Sequence, residues 1–140
     1  MPDIDQIVRK AREFAKALDE CDYQAARQYL AASCRYILTS DDTYVGCDAI
    51  LAAYQASDEK ARRQFDRITY SSDVSLAATG SATLTFVDEL QKGDFSHTFR
   101  CSQIVYFDED ERIHRIEHRE IPGELERLND FRQSVGCVST

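Results

Sequence analysis

The residues of this chain best suited to proton transfer are its three histidines, His97, His114 and His118. Histidine has an unperturbed pKa of about 6.5, close to working pH, so it can act as an acid or a base without further tuning. His97 shares one face of an alternating segment with Gln103, and His118 shares a face of the next segment with Glu120. If these faces point inward, the polar groups either satisfy structural hydrogen bonds or orient a ligand.

His114 and His118 also belong to the string HRIEH, which matches the HxxEH pattern of inverted zinc peptidases. That pattern needs a helix, where residues four apart share a face and converge on one ion. The local composition would suit a helix, but the segment follows a strong strand and an acidic turn. On a strand the two histidines lie about 13 Å apart, at roughly 3.3 Å per residue. We therefore interpret the segment as a strand with His114, Ile116, His118 and Glu120 facing inward, and we expect no metal site.

The first half of the chain has the apolar spacing of helices. Asp3 starts a helix whose apolar residues recur from Ile4 to Leu18, and Asp22 caps a second, shorter helix. A short strand at Cys34–Thr39 and a polar turn at Ser40–Thr43 follow, and Gly46 opens a third helix.

After the third helix the apolar period changes from 3.6 to 2, which predicts four strands. They are Phe65–Ser72, Val74–Leu90, Phe95–Phe107 and Arg112–Glu120. Gly80 predicts a bulge or bend in the second of them, and Pro122 precedes a last amphipathic helix. Helices followed by a curved antiparallel or mixed sheet define an α+β fold with the helices on one face.

Composition limits the classes of function. The 140 residues are 43% hydrophobic, enough for one core, so we expect a single domain over 1–140. The net charge of −8 and the dispersed basic residues argue against nucleic acid and anionic membranes as partners. Asp3 and Asp5 lie where a signal peptide would be basic, which favours a cytoplasmic protein. Five cysteines, an odd number without a CxxC pair, indicate reduced thiols.

The order of elements in residues 11–50, a helix, an acidic break, a helix, a short strand and a Gly-led helix, resembles the nuclear transport factor 2-like (SnoaL-like) superfamily. The resemblance covers roughly residues 4–121 and leaves a helical tail at 122–140. It implies a cone-shaped fold with a central pocket. Members of this superfamily serve as isomerases, dehydratases, epoxide hydrolases, binding modules and structural subunits, so the resemblance alone selects no function.

Ketosteroid isomerases are the members whose catalytic residues are most readily compared. A gapless comparison puts Phe14 where these enzymes have a tyrosine and Leu38 where they have the catalytic aspartate. Gln103 falls at the position of their second hydrogen-bond donor. Phe14 and Leu38 have no proton to transfer, so the comparison implies that the steroid-isomerase catalytic residues are not matched. The Asp-Arg-Asp relay of the epoxide hydrolases finds no inward-facing counterpart either.

The dehydratases of the superfamily use histidine with tyrosine and aspartate. That comparison makes His118, His97 and Tyr36 the candidate catalytic residues. Residues on the expected inner faces are candidates for contact with a ligand: Gln103, Phe99, Cys101, Tyr54, Ile116, Leu38 and Phe14. For Tyr36, Tyr54 and His97 the residue types favour core packing with a satisfied hydrogen bond, whereas for His118 the two interpretations are evenly balanced.

Three functions therefore stay open. The chain could be a small-molecule-binding protein with a partly apolar cavity, or a lyase or isomerase that uses a pocket histidine. It could also be a structural subunit resembling the small subunit of ring-hydroxylating dioxygenases, with a larger partner. No cofactor is expected. The resemblance implies a homodimer formed through the outer face of the sheet, where we expect Arg100, Ile104, Tyr106, Ile113 and Arg115.

Overall fold

A computed structural model describes residues 3–137 as four helices and six strands. The helices are α1 (Ile4–Asp19), α2 (Tyr23–Arg27), α3 (Cys47–Gln64) and α4 (Glu124–Ser134). The strands are β1 (Leu30–Ile37), β2 (Thr43–Val45), β3 (Arg67–Leu76), β4 (Ser81–Lys92), β5 (Phe95–Phe107) and β6 (Ile113–Glu120). None of the described helices is long and apolar enough to cross a membrane.

The six strands form one mixed sheet in the order β2-β1-β6-β5-β4-β3. Only β1 and β6 run parallel; every other neighbouring pair is antiparallel. The fold is the predicted α+β class. The sheet wraps around the N-terminal helices, so that its concave face and α1 enclose the core.

α1 forms because its N-terminus is capped and its apolar residues share one side. The Asp3 carboxylate accepts a hydrogen bond from the Asp5 backbone N–H, which satisfies one of the free amides of the first turn. The buried side of the helix includes Ile7, Phe14 and Leu18, which pack against the sheet. The helix predicted over this segment is confirmed.

A second apolar cluster lies at the far end of β4 and β5. Leu128 of α4 packs there against Phe65 and Leu90, with Phe99 and Phe131 at the edge. The amphipathic tail predicted after Pro122 therefore forms a helix, which begins at Glu124. Gly123, with φ of +84°, makes the left-handed turn that precedes it.

Several predicted strand boundaries were wrong. β1 begins at Leu30, four residues before the predicted Cys34, and β2 occupies what was predicted as turn and loop. β3 and β4 are joined by a turn at residues 77–80, not near Ser72. Gly80, with φ of +79°, lies in that turn, where its backbone oxygen accepts from the Phe107 N–H, and not in a bulge within a strand.

The inward face of β6 is also corrected. The pairing of β5 with β6 shifts between Tyr106 and Phe107, so that Phe107 pairs with Ile113 and Tyr106 with Arg115. Ile113 is consequently buried in the core, and His114 is exposed. His114 therefore does not point into the cone, and Ile113 does not belong to the outer face of the sheet.

Candidate functional site

A cavity of about 380 Å³ lies between the helices and the concave face of the sheet. Its wall is built from α1, α3 and the strands, with aromatic rings as its main apolar component. The lining residues are Leu18, Asp19, Cys21, Tyr23, Tyr36, Leu38, Tyr44, Ala53, Tyr54, Ser57, Asp58, Ala61, Tyr70, Phe86, Asp88, Cys101, Gln103 and His118. This size and this mixture are typical of small-molecule sites.

Gln103 is the centre of a hydrogen-bonded chain on one side of the cavity. The Tyr54 hydroxyl donates to Gln103 Oε1 at 2.7 Å, and Gln103 Nε2 donates to the Tyr36 hydroxyl at 2.9 Å. Gln103 Nε2 also lies 3.4 Å from His118 Nδ1, and His118 Nε2 lies 3.0 Å from Glu120 Oε1. Gln103 is 3% exposed, so this chain satisfies an amide that would otherwise be buried without partners.

The direction of these bonds bears on two side chains, His118 and Tyr36. The tautomer of His118 that fits both contacts accepts from Gln103 at Nδ1 and donates from Nε2 to Glu120. Tyr36 accepts from Gln103, so the proton of its own hydroxyl remains available to a ligand in the cavity. Burial raises the pKa of Tyr36 above its usual value, which keeps that hydroxyl protonated.

Three aspartates line the cavity, and two of them, Asp88 on β4 and Asp19 on α1, have raised pKa values. Burial, with a contribution from the charge of Asp19, raises the pKa of Asp88 from 3.8 to about 7. Asp19 accepts a hydrogen bond from Ser72 Oγ at 2.6 Å, and burial raises its pKa as well. Within residues 3–137 no group donates a hydrogen bond to the Asp88 side chain, so a ligand could supply its only partner.

The third aspartate of the wall already has partners. Both carboxylate oxygens of Asp58, on α3, lie 3.0 Å from Arg62 Nε. Asp58 also accepts a hydrogen bond from the Tyr70 hydroxyl at 2.7 Å. Arg62 is therefore neutralised by Asp58, and its side chain is more than half exposed. The described lining of the cavity contains no lysine or arginine.

Two of the cysteines, Cys101 and Cys34, are poor nucleophiles. Cys101 lines the cavity, and burial raises the pKa of its thiol to about 12. Cys34, fully buried behind the cavity, has its pKa raised to about 12 by the same cause. Both thiols therefore stay protonated at neutral pH and act as small apolar side chains.

The structure brings together six of the ten residues predicted for the site. They are Tyr36, Leu38, Tyr54, Cys101, Gln103 and His118, all of which line the cavity. The other four lie elsewhere. Phe14 and Ile116 are fully buried in the closed core behind the wall, where Phe14 contacts Tyr54 edge to face.

His97 and Phe99 lie beyond the cavity because β5 is 13 residues long and its first half passes under α4. The His97 ring stacks on Phe131 of α4 at 5.0 Å, and Phe99 packs in the second apolar cluster. His97 was expected to face the cavity, and this expectation is corrected: the ring is a packing residue beneath a helix.

Sequence reasoning missed the acidic wall. The signal that could have revealed it is the alternation in β4, where Leu84, Phe86, Asp88 and Leu90 share one face and only Asp88 is charged. A carboxyl on an otherwise apolar strand face is costly to bury and marks a functional candidate. Among residues 3–137, no group of three or more His, Cys, Asp or Glu side chains is placed to hold a metal ion.

Solved structures of similar shape share this architecture. A proposed SnoaL-like polyketide cyclase from Shewanella denitrificans OS-217 has a TM-score of 0.68 at 16% identity, covering 89% of this chain and 97% of that one. An LEH-like epoxide hydrolase from M. tuberculosis has a TM-score of 0.66 at 16% identity, covering 96% and 98%. A de novo designed protein with a curved β-sheet has a TM-score of 0.66 at 13% identity, covering 96% of this chain and 98% of that one. No family model matches the sequence, and no curated protein does.

These likenesses define the class of the fold. The chain has the cone fold of the nuclear transport factor 2-like (SnoaL-like) superfamily, as the order of elements in residues 11–50 predicted. At 12–16% identity they show the fold alone. The chemistry of this chain has to be argued from its own cavity.

Proposed function

We propose that this protein binds a small, partly apolar molecule in the cavity and holds an oxygen of that molecule with the Tyr36 hydroxyl. The observation that carries the proposal is the direction of the hydrogen bonds around Gln103. Tyr54 donates to the Gln103 oxygen and the Gln103 nitrogen donates to Tyr36, so the phenolic proton of Tyr36 has no acceptor among residues 3–137. A site built this way offers a positioned donor within an aromatic wall.

The rigidity of this donor supports the same conclusion. Tyr36 stacks on Tyr54 with ring centroids 5.1 Å apart, and Tyr44 packs against its other side at 5.9 Å. Because its ring is held by two neighbours and its oxygen by Gln103, little entropy is lost when the hydroxyl binds a ligand. His118 lies 3.4 Å from Gln103 Nε2 and 3.0 Å from Glu120, so it helps to orient Gln103 from the opposite side.

Binding is tested with a ligand that carries one acceptor oxygen on an apolar body, for which 4-phenyl-2-butanone is a suitable probe. We expect calorimetry to detect binding to the wild-type protein and a loss of about tenfold in Tyr36→Phe, because the variant keeps the ring and removes the donor. Tyr106→Phe, on the outer face of the sheet, is the matched control and should bind as the wild type does. Equal binding by Tyr36→Phe and wild type would remove the assigned role of Tyr36.

Proton transfer by Asp88 is the second candidate function, favoured by its pKa of about 7. A carboxyl that titrates near neutral pH is suited to remove a proton next to a carbonyl group whose oxygen a donor stabilises. In D₂O, proton magnetic resonance would then show exchange of the α-hydrogens of the bound ketone, and Asp88→Asn would abolish it. If the ketone binds tightly but its α-hydrogens exchange no faster than in buffer alone, the protein binds the ligand without catalysis and the catalytic candidate is refuted.

A further inference from the structure

The charged residues that line the cavity are acidic. They are Asp19, Asp58 and Asp88, and the described lining residues include neither lysine nor arginine. Asp58 is paired with Arg62. Among the described residues, Asp88 has no hydrogen-bond donor and Asp19 has only the neutral Ser72 hydroxyl. The binding of an anionic ligand would be unfavourable, because like charges repel strongly in a space that is partly shielded from water.

Aromatic rings surround the same space. The lining includes the rings of Tyr23, Tyr36, Tyr44, Tyr54, Tyr70 and Phe86. Tyr70 lies directly across from Asp88 in the pairing of β3 with β4, and Phe86 is two residues before Asp88 on the same face. The faces of aromatic rings attract cations, and this attraction strengthens where water is excluded.

We propose that the natural ligand is a cation, an apolar molecule bearing a protonated amine that lies against Asp88 and Asp19 among the tyrosine rings. This inference rests on the proposed binding function and adds the chemical class of the ligand. An ammonium group supplies the hydrogen-bond donors that Asp88 lacks, since it carries up to three of them and accepts none. The apolar remainder of the molecule then extends toward Tyr36.

The groups that face Asp88 decide how such binding depends on pH. They are Asp19 from α1, Tyr70 from β3, and the protonated thiol of Cys101 from β5, with the Asp58–Arg62 pair on α3. No cation among the described residues offsets the charge that Asp88 gains on ionisation. An ammonium ligand provides that charge, so its binding releases a proton from Asp88 below about pH 7 and strengthens as pH rises to that value.

Three probes of similar size and different charge test whether binding depends on the charge of the ligand. They are 4-phenylbutylamine, 4-phenylbutan-1-ol and 4-phenylbutanoate. At pH 8 the amine is protonated, as a lysine side chain is. By calorimetry with the full chain we expect the amine to bind at least about tenfold more tightly than the alcohol, and the carboxylate to bind weakest. At pH 5.5 the advantage of the amine over the alcohol should shrink, because Asp88 is then protonated.

The matched variants are Asp88→Asn and Asp73→Asn. Asp73 lies exposed on β3 and does not line the cavity, so its variant should keep the full preference for the amine. Asp88→Asn should reduce that preference to about twofold, because it removes the carboxylate charge that attracts the ammonium group but not the hydroxyl. Circular dichroism confirms that each variant is folded before it is titrated.

The outcomes distinguish this inference from the function on which it rests. If the alcohol binds as tightly as the amine, or if Asp88→Asn keeps the preference, the ligand is not selected by charge, although the binding function stands. If 4-phenylbutanoate binds best, the inference is likewise overturned. If none of the three probes nor 4-phenyl-2-butanone binds at millimolar concentration, the binding function and the inference fall together.

Discussion

Replacement of Asp88 by asparagine should make the protein more stable at neutral pH. Asparagine has nearly the shape of aspartate and does not ionise, so the variant removes the charge and little else. A carboxyl whose pKa rises from 3.8 to about 7 on folding destabilises the folded state once it is ionised. At ~1.4 kcal/mol per pH unit, the difference amounts to about 4 kcal/mol, which is a ceiling because Asp88 retains some access to water.

The sign of the effect follows from proton binding. Between about pH 4 and pH 7 the folded protein holds a proton on Asp88 that the unfolded chain has lost, so the free energy of unfolding falls as pH rises. The difference in stability between Asp88→Asn and wild type should therefore grow across this window and stay constant above it. Below pH 4 the carboxyl is protonated in both states, and no pH-dependent difference remains.

Urea denaturation of both proteins at pH 4, 5.5, 7 and 8, followed by circular dichroism, measures this difference. Asp73→Asn is the control: it removes an exposed carboxylate from the neighbouring strand and should track the wild type within about 0.5 kcal/mol at every pH. A difference between Asp88→Asn and wild type that is independent of pH would refute the burial argument. So would a difference that grows as pH falls, since that is the behaviour of a stabilised carboxylate.

Three further predictions test other parts of the structure. Tyr54→Phe leaves the buried Gln103 oxygen without its donor and should lower the free energy of unfolding by about 1–3 kcal/mol in urea; no loss would contradict the assigned bond. Leu84→Ala, at a fully buried site, should cost about 2–5 kcal/mol, whereas Leu125→Ala, at an exposed site, should cost under about 0.5 kcal/mol, and similar losses at both would contradict the core assignment. Sedimentation at micromolar concentration should give a homodimer, twice the 16.0 kDa chain mass, and Ile104→Asp on the outer face of the sheet should shift it to monomer; a wild-type protein that sediments as a monomer would refute it.

Local patterns predicted the helices well because the helices depend on local spacing. α1 has a capping residue and an apolar period that is independent of the rest of the chain. β5 was predicted with both of its boundaries, since a turn at Gly93 precedes it and an acidic turn follows it. The inward position of Gln103 and His118 followed from the alternation of their strands, and the two residues are paired across β5 and β6.

The errors occur where a distant contact overrides a local preference. Ser72 and Asp73 have the composition of a turn, yet they continue β3, and Ser72 donates a hydrogen bond to Asp19, 53 residues earlier in the chain. His114 alternates correctly with His118, but the irregular pairing at Phe107 turns its side chain outward. Neither the contact nor the shift in register leaves a mark on the nearby sequence.

The acidic wall depends on this same long-range pairing. Asp88 faces the cavity because β4 begins at Ser81, after the turn that includes Gly80, and its pairing with β3 then places it beside Tyr70. Asp19 reaches the cavity from the end of α1, on the opposite layer of the fold. Neither aspartate lies at a position, Phe14 or Leu38, that corresponds to a catalytic residue of the ketosteroid isomerases. A cone fold has many inward positions, and a carboxyl can lie at any of them. The chemistry of this cavity thus depends on where its uncompensated charge lies, and that charge lies on Asp88 and Asp19.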